Sequence, residues 1–449
     1  MILFAKTALL PEGWASDVRI RVTGGRIVEV TPGAVPERAS YGCLLPAPVN
    51  LHSHTFQRAM AGMTEGRTVG QDSFWTWRAL MYRFLDRLTP EDMQTIAAQA
   101  MVEMAEAGFA ALCEFHYLHH PPGGGTYADP AEMSARIVAA AAETGLGLTH
   151  LPVIYEQGGV DGRALAGGQL RFGSSPDTYS RLLDGAGRAT AALPDACLGV
   201  APHSLRAVSR TTLAQVAGLL PNGPVHIHIA EQEAEVAQCI AHTGRRPVAY
   251  LLDQLALDER WCLVHATHLD AAEVTELAAS GAVAGLCPTT EANLGDGLFP
   301  LAPYIAAGGR FGIGSDSHVS QSPVEELRWL EYGQRLQHRQ RNVAHVPAQR
   351  SVGDFLWQAA LTGGAQATGR RVGALAAGRR ADLLVLDAQH PNLDGVDHAE
   401  VLGRMVFCGN DNLVRDVLCG GRWVVQSGRH RAQEAIASRY CQALRDLRS

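Results

Sequence analysis

The sequence predicts an α/β protein: a distorted (β/α)8 TIM barrel carrying a composite β-sandwich formed by both termini. Three observations carry this expectation. Between residues 49 and 372, eight apolar strand-like stretches alternate with Ala-rich helical ones, the signature of eight βα units. The two ends are instead rich in short β-prone runs, so they are expected to meet in space as one domain. The chain, at 449 residues and 48.0 kDa, is long enough for a barrel with such an appendage. The expected division is 1–48 for the first part of the sandwich, 49–372 for the barrel, and 373–449 for the second part and a C-terminal helix. An open doubly wound sheet shares the βα alternation, so the chemistry must help to choose.

Taken in order, the opening MILFAKTALLPEGW is a short apolar run without the charged flank and small-residue cleavage site of an export signal. It reads as a first strand. RIRVTGGRIVEVTPG places two β-prone runs around Gly24 and Gly25, and Pro46 and Pro48 lead into a new segment. The barrel strands are expected in APVNLHSH, FAALCEFHYL, LGLTHLPVIY, CLGVAPHSL, PVHIHIAE, WCLVHATH, AVAGLCPTT and RFGIGSD. After Leu88, Thr89 caps a helix, Pro90 fits its first turn, and strong helix formers continue to Gly108. The insertion DSFWTWRALMYRF between the first two strands suits a lid or substrate wall at the strand C-terminal face, or a helix at a subunit boundary. PPGGGTY is a loop and lacks any phosphate-binding pattern. ADLLVLD, RMVFCG and NLVRDVLCGGRWVVQSG restore β character, and AQEAIASRYCQALRDL reads as a closing helix.

With 47% apolar and 18% charged residues, the chain is neither disordered nor collagen-like. No apolar run approaches the roughly 20 residues of a membrane span. The net charge of −7 and the lack of a basic stripe or zinc-finger spacing argue against nucleic acid as a partner. Nine scattered cysteines without a CxxC pair read as reduced thiols of a cytosolic protein.

The sharpest signal is a set of polar residues closing four of the expected strands. His52 and His54 in NLHSHTFQR share one face of an extended strand. His226 and His228 repeat that spacing in PVHIHIAEQE, Glu231 follows, His265 and His268 end WCLVHATH, and Asp316 ends RFGIGSD beside His318. A lone HxH is weak. Four strand ends with ligating residues point to a metal centre, and imidazole with carboxylate suits a borderline ion such as Zn2+. The expectation is one divalent ion held by His52, His54, His228 and Asp316, with a water beside Asp316 whose pKa the ion lowers. Glu231 is then placed to shuttle a proton to a departing nitrogen, and His265 to polarise the substrate or steady the attacking water with Asp316. His226, His268 and His318 are read as supporting residues.

These motifs, in this order and spanning essentially the whole chain (NLHSH, HIHIAEQ, VHATHL, GIGSDSH and RRADLLVLD), resemble the amidohydrolase superfamily. LHSHTFQRAMAG, FWTWR, CEFHYLHH and APHSLRAVS resemble, more narrowly, its formiminoglutamate deiminase branch. The resemblance implies a mononuclear hydrolase with Glu231, His265 and Asp316 in catalysis, acting on N-formimino-L-glutamate in histidine degradation. It also implies a cytoplasmic homodimer. No lysine suited to bridge two metals is evident in APHSLR or EFHYLHH. A small dicarboxylate substrate needs donors. Arg206, directly after APHSL, and Arg78 in the insertion are expected to hold carboxylates, and Gln57, Tyr117 and His203 to complete the pocket. The alternatives are a zinc-dependent nucleobase or heterocycle deaminase and, outside catalysis, a metal-binding pseudoenzyme or assembly protein.

Overall fold

Strands β1 (Ile2–Leu10), β2 (Gly13–Thr23) and β3 (Arg26–Thr31) form an antiparallel meander. Gly24 and Gly25 make its tight second turn with φ of 56° and 76°, which a side chain would resist. The computed structural model describes residues 1–36, 41–66, 74–349 and 351–448. β4 (Tyr41–Pro46) returns parallel to β1, and the chain passes through Pro48 into the barrel.

The barrel strands occur where the eight apolar stretches lie. β5 (Val49–Ser53), β6 (Ala111–His116) and β7 (Gly147–Ile154) pair in parallel. The fourth stretch, continuous in sequence, is two short strands against β7, namely β8 (Cys197–Leu198) and β9 (Ala201–Pro202). Gly199 explains the break: a Cβ there would lie 2.5 Å from Leu151 Cδ2 and 2.6 Å from the Pro224 carbonyl oxygen, so the backbone dips against its neighbours. β10 (Val225–Ile229), β11 (Trp261–His265), β12 (Val283–Leu286) and β13 (Arg310–Ile313) form the second parallel set. Bridges Val200–Val225 and Ser204–His228 join the sets on one side, and Ser53–Asp316 joins them on the other, closing the ring. Every residue of β5, β6, β7, β10, β11 and β12 is buried, as expected of parallel strands covered on both faces.

β14 (Leu383–Leu386), β15 (Val414–Cys419), β16 (Arg422–Gln426) and β17 (Arg429–His430) complete the terminal domain. Its strands run in the order β17-β16-β15-β14-β4-β1-β2-β3. The two ends therefore meet at β4 and β14, where Leu44 opposes Val385. Side-chain alternation splits this seam between two cores. Leu44, Leu383 and Val385 join Val18, Ile20 and Ile27 inside the sandwich, whereas Cys43, Leu45, Leu384 and Leu386 join the barrel core.

Helix α1 (Phe74–Leu85) belongs to the insertion after β5, whose preceding residues 67–73 lie outside the described residues. Helix α2 (Pro90–Ala107) starts and stops where its signals stand. Asp92 N donates to Thr89 Oγ1 at 3.1 Å while Thr89 N donates to Asp92 Oδ2 at 3.1 Å, and Gly108 ends the helix at φ 111°. RMVFCG departs from its β reading, since its first four residues end the helix His398–Phe407. Asp397 caps that helix through Ala399 N, and Val401, Leu402, Met405 and Val406 form its buried face. The closing helix runs Gln433–Arg448. All nine cysteines are free. Among the described residues no helix is long and apolar enough to cross a membrane.

Candidate active site

The barrel ring brings the four expected ligand residues together. His52 lies near the end of β5 and His54 directly follows it, His228 lies near the end of β10, and Asp316 follows β13. One ligand atom from each lies within 4.8 Å of the others, and all four residues are buried. The Nε2 atoms of His52 and His54 are 3.2 Å apart, those of His52 and His228 are 3.0 Å apart, and Asp316 Oδ1 is 3.2 Å from His54 Nε2.

The tautomers follow from the partners on the other ring nitrogens. His54 Nδ1 lies 2.8 Å from the Phe115 carbonyl oxygen and His228 Nδ1 lies 3.1 Å from that of His203. A carbonyl only accepts, so both Nδ1 atoms carry the proton and both Nε2 lone pairs point inward. Lone pairs converging in a dry site need a cation. Burial also depresses the basicity of the three rings, with His52 held down to about 3 and His54 and His228 also lowered. Burial opposes charge on Asp316, but its hydrogen bond to His52 and the nearby His54 and His265 outweigh it and keep the carboxyl well below its ordinary range. Three neutral imidazoles and one carboxylate form a mononuclear site suited to a divalent cation such as Zn2+.

The backbone is distorted where the site is built. His265 and Asp316 both adopt left-handed φ, 68° and 46°, conformations that cost about 1–3 kcal/mol each in a non-glycine residue and persist only where the surroundings impose them. Gly314 allows the close approach of the last strand to the first, since a Cβ there would lie 2.7–2.8 Å from the His52 backbone. Asp316 N donates to His52 O at 3.0 Å, and His54 N to Asp316 O at 3.2 Å.

A cavity opens above the cluster. Its walls include all five expected pocket residues (Gln57, Arg78, Tyr117, His203 and Arg206), together with Glu231, His265, Trp77, Met81, Tyr82, Tyr155, Phe172 and Leu294. Gln57 Nε2 donates to the Tyr117 hydroxyl at 2.7 Å, and Arg78 Nε donates to the Tyr82 hydroxyl at 2.6 Å. Helix α1 thus supplies one wall through Trp77, Arg78, Met81 and Tyr82. Glu231 Oε1 is 3.8 Å from His265 Nε2, and Asp316 Oδ2 is 3.8 Å from the same nitrogen. Burial pushes Glu231 up to about 7, against the pull of His265 and Arg206. Burial works the other way on His265, but Glu231, Glu291 and Asp316 raise it to about 10.

Three carboxylates that sequence reasoning did not single out support these groups. Glu291 Oε1 lies 3.3 Å from His265 Nδ1. Glu235 Oε2 accepts from Glu231 N at 3.1 Å, and its Oε1 is 3.9 Å from Arg206 Nε, while Arg206 Nη2 is 3.8 Å from Glu231 Oε2. Glu114 accepts from the Ser53 and Thr55 hydroxyls at 2.6 and 2.7 Å beneath the first metal motif. Glu235 had a signal: it follows Glu231 by four residues on the next helix. His226 and His318 sit away from the cluster, on the Ala367 carbonyl at 2.8 Å and the Ser53 hydroxyl at 3.0 Å. The chain's one lysine, Lys6, lies in β1, so no lysine can bridge a metal pair in the barrel.

A model of the amidohydrolase family matches residues 43–424, and a model of the N-terminal domain of formimidoylglutamate deiminase HutF matches residues 1–40. The chain is 53% identical over 454 residues to a Pseudomonas aeruginosa protein named formimidoylglutamate deiminase, covering 99% of both chains. It is 28% identical to the 8-oxoguanine deaminase of the same organism, over 91% of this chain and 89% of that one. The crystal structure of an amidohydrolase from Brucella melitensis matches it with a TM-score of 0.96 at 45% identity, covering 100% of each chain.

Proposed function

Because this chain belongs to the amidohydrolase family, we propose that it is a metal-dependent hydrolase that converts N-formimino-L-glutamate to N-formyl-L-glutamate and ammonia, a step of histidine degradation. The observation that carries the reading is the match along 99% of both chains to a formimidoylglutamate deiminase. It agrees with a cavity that is lined by two arginines, Arg78 and Arg206, beside the cluster of candidate metal ligands.

His52, His54, His228 and Asp316 would hold the ion. When bound, a divalent ion such as Zn2+ supplies a water that ionises near neutral pH. The chain's own groups then manage position and protons. Arg206 and Arg78 take the substrate carboxylates, for which a guanidinium offers paired donors, and Gln57, Tyr117 and His203 hydrogen-bond the remainder. This fixes the formimino carbon over Asp316 and His265. Water adds to that carbon; Glu231, ionised above about pH 7, accepts the proton, and His265 and Asp316 orient the attacking oxygen. Glu231 gives that proton to the terminal nitrogen, and the adduct's remaining hydroxyl proton is then relayed through Asp316 and Glu231 to the same nitrogen as its bond to carbon breaks, releasing ammonia and leaving the formyl carbonyl. Glu291 on His265 Nδ1 keeps Nε2 facing this exchange.

The free thiols and the charge of −7 support a cytoplasmic protein without a nucleic-acid partner, and the homodimer rests on the family resemblance. The substrate assignment is tested by ammonia release from formiminoglutamate, other formimino amino acids, guanine and cytosine with one metal-quantified preparation. Formiminoglutamate is expected to be turned over fastest, with N-formylglutamate as product. Turnover of an uncharged ring but not of the dicarboxylate would assign the site to a heterocycle instead.

A further inference from the structure

The catalytic reading leaves one buried thiol beside the cluster without a role. Cys287 follows β12, and its Sγ, one ring nitrogen of His265 and one carboxylate oxygen of Asp316 all lie within 4.8 Å of one another. All three side chains are buried. Cys287 is otherwise packed among Leu51, Cys262, Val264 and Val283, at the floor of the site.

The two oxygens of Asp316 face different partners. Oδ1 lies 3.5 Å from His52 Nε2 and 3.2 Å from His54 Nε2, whereas Oδ2 lies 3.8 Å from His265 Nε2. Glu291 organises the far side, its Oε1 accepting from Cys287 N at 2.9 Å and standing 3.3 Å from His265 Nδ1. That contact fixes the ring so that its Nε2 faces Asp316, and a cation there takes the place of the Nε2 proton.

From this geometry we propose a second, inhibitory cation site formed by Cys287, His265 and Asp316, selective for thiophilic divalent ions such as Zn2+ and Cd2+. Asp316 would serve both sites, since its Oδ1 faces His52 and His54 and its Oδ2 faces His265. Binding forms a sulfur–metal and a nitrogen–metal bond and releases two protons to solvent, one from the Cys287 thiol and one from His265 Nε2. A thiolate–imidazole–carboxylate set favours soft and borderline ions over Mg2+, which keeps oxygen ligands and water. The inhibitory effect rests on the proposed function, because the second ion occupies the His265 and Asp316 groups that orient the attacking oxygen there. Enzyme holding one ion works; enzyme holding two does not.

The test uses full-length protein loaded with one equivalent of Zn2+ and titrated with Cd2+, comparing the natural chain with Cys287→Ser and Cys287→Ala. Bound metal and thiolate-to-cadmium ultraviolet absorbance are read without substrate, and ammonia release is followed in parallel. The natural chain is expected to take up a further equivalent, with the absorbance rising and turnover falling at the same midpoint. Mg2+ should do neither. Both variants should retain the turnover of the one-ion enzyme, lose the added absorbance, and need more than the ~10–100-fold higher Cd2+ that loss of even an outer-shell partner costs a metal site. The exposed Cys408 and Cys441 bind Cd2+ equally in all three proteins and cancel in the difference. Serine preserves the side-chain size, so a misfolded alanine variant leaves the comparison intact. An unchanged midpoint or absorbance in the serine variant would overturn the proposal, as would uptake of the second equivalent without loss of turnover. If formiminoglutamate is not a substrate, the metal count and absorbance still decide whether the site exists.

Discussion

Glu231 is poised between two protonation states by opposing forces, and its environment predicts how activity depends on pH. Burial raises it to about 7 while His265 and Arg206 pull it down. The proton-accepting form is the carboxylate, so kcat/KM is expected to fall as pH drops below about 7 and Glu231 becomes neutral. Removing the Arg206 charge 3.8 Å away removes a lowering influence. In Arg206→Gln the acidic limb should therefore move to higher pH, in addition to a loss of kcat/KM for the dicarboxylate of ~10-fold or more, the scale of a lost charge-assisted hydrogen bond. A pH–rate profile of both proteins checks the sign; a limb moving to lower pH would contradict it. Glu231→Gln keeps the shape but cannot carry the proton, and should lower kcat by ~10²–10⁴-fold with metal content unchanged, as single-turnover assays and metal analysis would reveal. The shared face of His52 with His54 and of His226 with His228 was legible because a two-residue period on an apolar strand leaves little choice of face, and Asp316 was legible as the polar end of the eighth apolar stretch. Glu291 was not, since it reaches the site through a helix turn whose direction depends on neighbouring strands, whereas the four-residue step from Glu231 to Glu235 was present but not singled out.

At the scale of elements, the meeting of β5 with β13 governs whether the ligands converge. Gly314 admits β13 against the His52 backbone at distances no Cβ tolerates. Gly314→Ala is expected to push the two segments apart, costing ~1–3 kcal/mol of stability as overpacking does and weakening metal retention at the same time. Denaturant midpoints and metal content after dialysis measure both; a variant that keeps its metal fully would show that the seam yields without moving Asp316. Elements with strong local signals were readable in advance. Thr89, Pro90 and Gly108 delimit α2 through capping chemistry contained in adjacent residues. RMVFCG misled because its β-prone side chains outweigh, in isolation, the cap at Asp397 and the buried stripe of Val401, Leu402, Met405 and Val406 that make it helical. The split of the fourth barrel strand was invisible for a similar reason: the constraint on Gly199 comes from Leu151 and Pro224 on other elements.

For the whole molecule, a bound cation would tie together the first, fifth and last barrel strands, which are remote in sequence. An ion that binds only the folded chain adds stability by mass action, about 2.7 kcal/mol at a hundredfold excess over its Kd. Chelation is therefore expected to abolish turnover and to lower Tm, with both restored on adding back one equivalent of Zn2+. A Tm unaffected by chelation would mean that the ring closes without the ion. The barrel and the joining of the two ends were legible from the alternation of eight units and the β-rich tails; the register that pairs Leu44 with Val385 was not, because it depends on both cores at once. That pairing has a consequence for biosynthesis. β4 needs β14 as its neighbour, yet β14 emerges from the ribosome only after the entire barrel has been made. The first strands must then wait, with one edge open, until nearly the last residues are translated, which makes late truncation or slow termination the stage at which nascent chains are most prone to pair with one another.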